Sequence, residues 1–359
     1  LILDAQPGDI TNIYLLNPKI TPEAREQMRV ALGLDKPPLI RYFQWLGNFV
    51  QGNLGVSFSH YPEPVLDIIL ERAPRTLVLF LTNQLISFSL GYFLGKQMAW
   101  HRGTVFEYSL TLLGVVLYTI FTPWFGLMMI YLFGVQFKLL PIGKFLDPSV
   151  WRDAPLEANT LFYYIILTTV IAAALYIAVI MLTKKSGRTV RQIVRFFGFA
   201  VVIALGFLIW HSTEYGYLAG DILKHMILPV LVSTLVNFAG TMLLMRNTML
   251  ETLNEDFIMA ARAKGLPEAT VRDKHAARNA FLPVFTNLII SIPFALSGGI
   301  ITETIFSWPG MGLTLLQAVN SEDIPLAMGT LSVVGVLALA AHLIADVAYA
   351  FLDPRIRYQ

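Results

Sequence analysis

Residues 251–283 read ETLNEDFIMAARAKGLPEATVRDKHAARNAFLP, a charged, helix-prone stretch beside the apolar runs 226–245 and 279–302, which contain no charged residue. Arg262, Lys264, Arg272, Lys274 and Arg278 crowd the stretch. A short loop this rich in Lys and Arg stays on the cytoplasmic side of a membrane. The segment therefore reads as a cytoplasmic handle on a membrane protein. Inside it, Ala260, Ala261 and Ala263 favour helix, and Gly265 tolerates the left-handed conformation that ends one. Pro267 suits the opening of a second short helix with Glu268 near its start, where an acid complements the helix dipole. Helix, glycine turn and helix together predict a compact knob.

The order Met259-Ala260-Ala261-Arg262-Ala263-Lys264-Gly265-Leu266, followed by His275-Ala276-Ala277-Arg278-Asn279-Ala280-Phe281-Leu282-Pro283, resembles the signature loop of ABC importer permeases in the form carried by dipeptide, oligopeptide and nickel permeases. The resemblance implies a coupling segment, Ala261, Arg262, Lys264, Gly265, Leu266, Pro267, Glu268 and Val271, that sits in a groove on an ATP-binding subunit. Met259, where many permeases have glutamate, and the long spacing from Gly265 to Pro283 depart from the broader importer pattern. Both departures are usual in the peptide subgroup.

Working outward, 359 residues with 55% hydrophobic and only 14% charged side chains depart far from a soluble domain, where about 25% charge is typical. A mean hydropathy of +0.61 agrees with an all-α polytopic membrane protein. The net charge of +2 is segregated by loop and builds no nucleic-acid-binding field. The absence of cysteine removes disulfides, thiolate metal sites and a cysteine nucleophile.

Residues 1–9, ending Pro7-Gly8-Asp9, resemble the end of the family's first transmembrane helix, and three apolar residues are too few for a span of about 20. The expectation is a first helix that is truncated here or lies before the numbering. Residues 10–75 are polar and read as an extracytoplasmic segment, with an amphipathic stretch opened by Thr21-Pro22-Glu23-Ala24 and running to Leu32. Its seven basic residues do not decide orientation, because loops beyond about 60 residues translocate largely regardless of charge. A transmembrane pair follows in 76–137, with spans 76–95 and 108–137. The region 138–222 is an external loop plus an inserted hairpin, 159–183 and 196–213, joined by Lys184, Lys185, Arg188, Arg191 and Arg195 with no acid, hence cytoplasmic. The core permease helices occupy 223–351, including the handle 251–282, and 352–359 is a cytoplasmic C-terminus. The resemblance covers all but the hairpin and its flanks, and it implies the type I importer permease fold.

Among the ionisable residues in or beside spans, Glu303, Asp346, Arg246 and His342 stand out, a placement that is costly and rarely idle. Near helix ends, pairing or snorkelling gives them a structural reading as well. Glu303, within Glu303-Thr304-Ile305-Phe306-Ser307-Trp308-Pro309-Gly310-Met311-Gly312, and Trp308 are candidates for an outer gate. Ser233, Asn237 and Thr241 recur at helical spacing before the handle, and Asn287, Ser291, Ala295, Gly298 and Thr302 do so after it. Each set makes a small, polar face, read either as close helix packing or as the wall of a translocation path.

Gly91 and Gly95 precede Lys96 at the wrong spacing for a Walker A loop and form a small-xxx-small packing face instead. The six histidines have no metal-ligand spacing, and no nucleophile elbow is present. The chain reads as a non-enzymatic transport subunit with no cofactor of its own, ATP and magnesium being bound by partners. The resemblance implies a homologous second permease, two ATP-binding subunits and an extracytoplasmic substrate-binding protein, in the lipid of a bacterial or archaeal inner membrane. It implies di- or oligopeptides as substrates, carried by alternating access, with nickel or oligosaccharides as the alternative within the family. An ion-coupled secondary transporter is the alternative of another class; it calls for internal repeats with broken, charged helices, which are not seen.

Overall fold

Apolar runs longer than a bilayer is thick must satisfy their backbone internally, and helix is the local way to do so. The computed structural model describes residues 21, 23, 36–185, 187–296 and 299–352. Residues 1–9, expected to end a first helix, the expected amphipathic stretch through Leu32 (apart from 21 and 23), Ser186, Gly298 and the residues beyond Leu352 lie outside the described residues. Among those described, the chain is helical, with one isolated β-bridge between Val56 and Pro64.

Among the described residues, five helices are long and apolar enough to cross a membrane: Val65–Trp100, Ala158–Leu182, Ile193–Ser212, Gly216–Leu253 and Ile324–Ile344. We label the principal helices α1 (Pro38–Val50), α2 (Val65–Trp100), α3 (Val105–Thr119), α4 (Thr122–Met129), α5 (Ala158–Leu182), α6 (Arg188–Ser212), α7 (Gly216–Leu253), α8 (Asp256–Ala263), α9 (Ala277–Leu296), α10 (Ile300–Ile305), α11 (Met311–Asn320) and α12 (Ile324–Leu352). A sixth crossing arises if the bent pair of α3 with α4 and its π-helical extension to Gln136 counts as one.

That pair differs from the single straight span expected over 108–137. Ile120 and Phe121 are extended, Pro123 sits in the first turn of α4, and the two helices meet at 102°. Proline cannot supply the N–H that a continuous helix needs and disfavours helix in the residue before it, so the chain turns where the apolar pattern runs on. The run 279–302 is likewise interrupted: α9 is described as far as Leu296, Gly299 is extended, and α10 starts at Ile300.

The chain divides into two compact units, Leu1–Arg72 with Thr314–Val336, and Ala73–Leu313 with Leu337–Gln359. In the first, the loop before α2 is fastened to the start of α12 by Asp323, which is fully buried. Its carboxylate accepts from Ser57 Oγ (2.5 Å), Ser59 N–H (2.8 Å), Ser59 Oγ (2.7 Å) and Leu326 N–H (3.2 Å). Four donors take the place of a counter-ion, as burial of a charge requires.

In the second unit, α2 and α7 approach almost backbone to backbone. A Cβ on Gly95 would lie 2.3 Å from Met242 O, and one on Gly91 2.7 Å from Thr241 Cβ, so only glycine fits. The hairpin α5–α6 is anchored at its base, where Leu161 and Phe162 are fully buried with Phe145, Trp308, Leu218 and Ile222. Asp221 of α7 holds the preceding loop, accepting from Asp147 N–H (3.0 Å) and Trp151 Nε1 (2.9 Å).

Candidate functional site

The handle is built on an apolar seat. Ile258 and Ala261 of α8 join Met245 and Met249 of α7 with Val271, Ala276, Ala277, Ala280 and Val284 in one buried cluster. Helix α8 ends in a Schellman arrangement: Gly265 N–H donates to Arg262 O (2.9 Å) and Leu266 N–H to Ala261 O (3.4 Å), with Gly265 at φ +71°. Leu266 packs back onto the seat. Pro267 then precedes one turn of α-helix, Glu268–Thr270, which runs into a π-helix, Val271–Ala276, and on into α9.

The eight residues expected to form the coupling segment divide accordingly. Ala261 and Val271 are buried and hold the knob, Leu266 is half-buried, and Arg262, Lys264, Gly265, Pro267 and Glu268 are exposed at its tip. Arg262 and Glu268 pair across the glycine turn at 3.3 Å.

Below the tip, Asp273 gathers charge. It accepts from Arg272 Nε and the terminal guanidinium nitrogen, each at 2.9 Å, and lies 3.2 Å from Lys96 Nζ at the end of α2. The Arg272 guanidinium bonded to it, and then Lys96, pull the Asp273 carboxyl down to about 2 against partial burial. Lys96 Nζ also stands 5.8 Å from the ring centroids of Tyr92 and Phe93, and the Arg272 guanidinium 5.8 Å from that of Trp100.

The two polar faces are not uniform. On α7, Ser233 is buried and its Oγ finds no partner among the described residues, Thr241 is buried against Gly91, and Asn237 is exposed. On α9, Asn287 is exposed, and Ser291 is half-buried and accepts from Gln84 Nε2 at 2.7 Å. Ala295 lies in the last turn of α9. Thr302 is buried in α10. Asn83 of α2 accepts from Ser87 Oγ (3.1 Å) and Thr234 Oγ1 (3.2 Å), so α2 brings a polar face of its own to this junction.

Glu303 and Trp308 are brought together and are both fully buried. Glu303 accepts from Thr76 Oγ1 (2.9 Å) and Leu313 N–H (2.7 Å), while Thr76 Oγ1 in turn accepts from Met311 N–H (2.7 Å). Trp308 donates from Nε1 to Arg75 O at 3.2 Å and meets the rings of Phe145 and Phe162. The Arg75 guanidinium covers Phe145 at 4.3 Å and reaches Asn159 Oδ1 at 2.9 Å. Glu303, the turn that follows α10 and the start of α11 are thus pinned to Arg75 and Thr76 of α2.

Arg246 has a partner that the sequence reading did not name, Glu107 of α3. The signal was present as Thr104-x-x-Glu107, a helix-capping pattern. The contact of Asp273 with Lys96 also went unforeseen, because an acid among five basic residues reads as a solvated charge until the facing helix is known. His342 is exposed and bonds Ala338 O, one turn back on its own helix. Asp346 is exposed. No group of three or more His, Cys, Asp or Glu able to hold a metal occurs among the described residues.

Comparison with known proteins finds relatives over nearly the whole length of the chain. A Brucella suis protein that carries a provisional name as a peptide permease is 33% identical over 99% of this chain and 92% of its own length. The oligopeptide transport system permease protein AppB of Bacillus subtilis is 30% identical over 100% of this chain and 92% of its own. The di/tripeptide transport system permease protein DppB of Pseudomonas aeruginosa is 31% identical, over 98% and 91%. With residues 87–358 matching the family described as binding-protein-dependent transport system inner membrane component, the chain belongs to that family of multi-span permeases.

Proposed function

We propose that this chain is one permease of an ATP-driven importer of di- or oligopeptides, with the type I importer fold, an added helical hairpin at 159–213 and an extracytoplasmic segment at 10–75. The peptide class is supported by relatives named for oligopeptide, di/tripeptide and dipeptide transport over nearly the full length of this chain. A homologous second permease completes the path, two ATP-binding subunits drive it, and an external binding protein delivers the substrate. The ATP-binding subunits hold ATP and magnesium.

The observation that carries the mechanism is the build of the handle: an apolar seat fixes Ala261 and Val271, while Arg262, Lys264, Gly265, Pro267 and Glu268 stand exposed at a rigid tip. A rigid knob with a charged end can dock in a groove and pass on a push. Closure of the ATP-binding dimer moves the tip, and the spans rock between outward and inward access. Nucleotide shifts that equilibrium only through its differential affinity for the two states. Asn237, Asn287 and Ser291, with Ser233 and Thr241 on the same face of α7, supply the polar face along which a peptide moves; Ala295 and Gly298 join it by sequence spacing alone, and Glu303 with Trp308 form the outer gate.

Uptake of labelled dipeptides and oligopeptides into proteoliposomes, by the complete complex with its binding protein, tests this reading. Peptide uptake that needs ATP and survives an ionophore is expected. Uptake by this chain alone on an ion gradient would overturn the mechanism, and ATP-dependent uptake of nickel or an oligosaccharide in place of peptides would overturn the substrate class.

A further inference from the structure

We propose that Asp273 is a positioning residue that joins the handle to α2, and that its contacts with Arg272 and Lys96 form the joint through which a displacement of the tip reaches the spans. This rests on the reading of the tip as the contact for the ATP-binding subunits.

The apolar seat holds the knob on α7, but it has no direction of its own, since apolar contact is non-directional. The charged contact with α2 has direction. Tyr92, Lys96 and Trp100 are spaced four residues apart and share one face of α2. Lys96 meets Asp273, and Trp100 meets the Arg272 guanidinium. One turn earlier on that face, Phe88 stands with Tyr92 against Phe281 at the start of α9, at 6.1 and 5.5 Å between ring centroids. A single face of α2 therefore grips the π-helix Val271–Ala276 itself, through Arg272 and Asp273, and the first turns of α9 beyond it, through Phe281. A π segment carries one residue more per turn than α-helix needs, is rare, and recurs at functional sites. It is the place in the handle where backbone can change register without disturbing the helix on either side.

Whatever moves α2 moves α7, because Gly91 and Gly95 set the two backbones in contact and leave no space for one to slide alone. Asn237 and Thr241 ride on α7. The joint itself is partly open: Asp273 keeps 42% of its side-chain exposure and Lys96 15%. Ion pairs that stay partly exposed add little stability, so such a contact can break and re-form within a transport cycle. The depressed Asp273 carboxyl keeps it charged at every physiological pH.

A double-mutant cycle in the assembled complex tests the joint, using Asp273→Asn, Lys96→Met, the pair together, and Asp273→Glu. The readout is substrate carried per ATP hydrolysed, alongside the subunit composition of the purified complex. Each single neutral variant is expected to lower the ratio about threefold or more, the double variant to be no worse than either single, and Asp273→Glu to restore it, with composition unchanged. An unchanged ratio, losses that multiply in the double variant, or losses that track departure of the ATP-binding subunits would each overturn the joint. A cysteine at Lys264 separates the two readings. A cross-link to an ATP-binding subunit with a multiplicative cycle leaves the tip assignment standing and removes the joint, and absence of the cross-link removes both.

Discussion

Arg246 Nε donates to Glu107 Oε1 at 2.7 Å, and the same glutamate accepts the Gly103 N–H on its other oxygen at 2.6 Å. One carboxylate thereby starts α3 and ties it to α7. Thr104 completes the start: its Oγ1 accepts from Glu107 N–H, the exchange that defines a capping box, here displaced by one residue toward Gly103. The arrangement explains why an arginine is tolerated where α7 otherwise runs apolar. Its charge is neutralised on a neighbouring helix, near an end where part of the guanidinium still meets solvent.

Removing one member of such a pair costs more than the pair contributes, because the survivor stays partly buried without its charge. Glu107 is 3% exposed, so Arg246→Met, which strands its carboxylate, is expected to destabilise by about 1–3 kcal/mol. Glu107→Leu with Arg246→Met should cost less than the sum of the two single changes. Thermal unfolding of the purified protein in detergent, read for the three variants together, checks this; strict additivity would mean the two side chains do not interact.

Gly265 gives a sharper case, since its requirement is conformational only. At φ +71° the backbone lies in the left-handed region, while nothing stands within 4 Å of where a Cβ would be. Gly265→Asn is therefore expected to be tolerated, and Gly265→Val to be strained by about 1–2 kcal/mol. If the tip couples to ATP hydrolysis, the valine variant loses substrate-stimulated ATPase activity in the assembled complex and the asparagine variant keeps it. Equal stimulation in both would show that the turn is not needed in this form.

What was legible in the sequence was local. Alanines, Gly265 and Pro267 encode the knob within a dozen residues, and the Gly91-x-x-x-Gly95 spacing correctly implied close helix packing, which the Met242 contact bears out. Less legible was anything that depends on what a face meets. Helical spacing puts Ser233, Asn237 and Thr241 on one side of α7, yet Thr241 is buried by α2 while Asn237 is exposed. The bend after Thr119 was hidden because hydropathy is blind to backbone donors, and Pro123 was the one local sign of it. Asp273 and Glu107 needed partners from distant helices before their charges had meaning.

Topology can be read from the connection between α5 and α6. Its basic residues and lack of acids predict that it faces the cytoplasm. Lys184 is exposed at this turn, and the chain has no native cysteine to interfere. Lys184→Cys in intact cells is expected to resist a membrane-impermeant maleimide and to react after permeabilisation. Labelling in intact cells would place the turn outside and remove the hairpin from the topology.

The polar faces permit a test that divides wall from packing residue by residue. Asn237 and Asn287 are exposed on α7 and α9, whereas Thr241, on the same face by spacing, is buried against Gly91. Ile290 is half exposed but apolar, and Leu244 is half-buried. Small residues and hydroxyls let helices approach, so packing accounts for Thr241 without any substrate. Exposed amides in an apolar span lack that account, since an amide facing hydrocarbon costs several kcal/mol unless it is hydrogen-bonded. Single cysteines at Asn237, Asn287 and Ser291 are expected to react with a small water-soluble thiol reagent, at rates that change about threefold or more when ATP is trapped in the assembled complex. A cysteine at Thr241 should stay unreactive, and those at Ile290 and Leu244 should be slow in every state, because thiolate forms poorly in lipid. If Asn237 and Asn287 prove as inert as Ile290 in all nucleotide states, their amides meet the second permease, and the path runs along another face of the bundle.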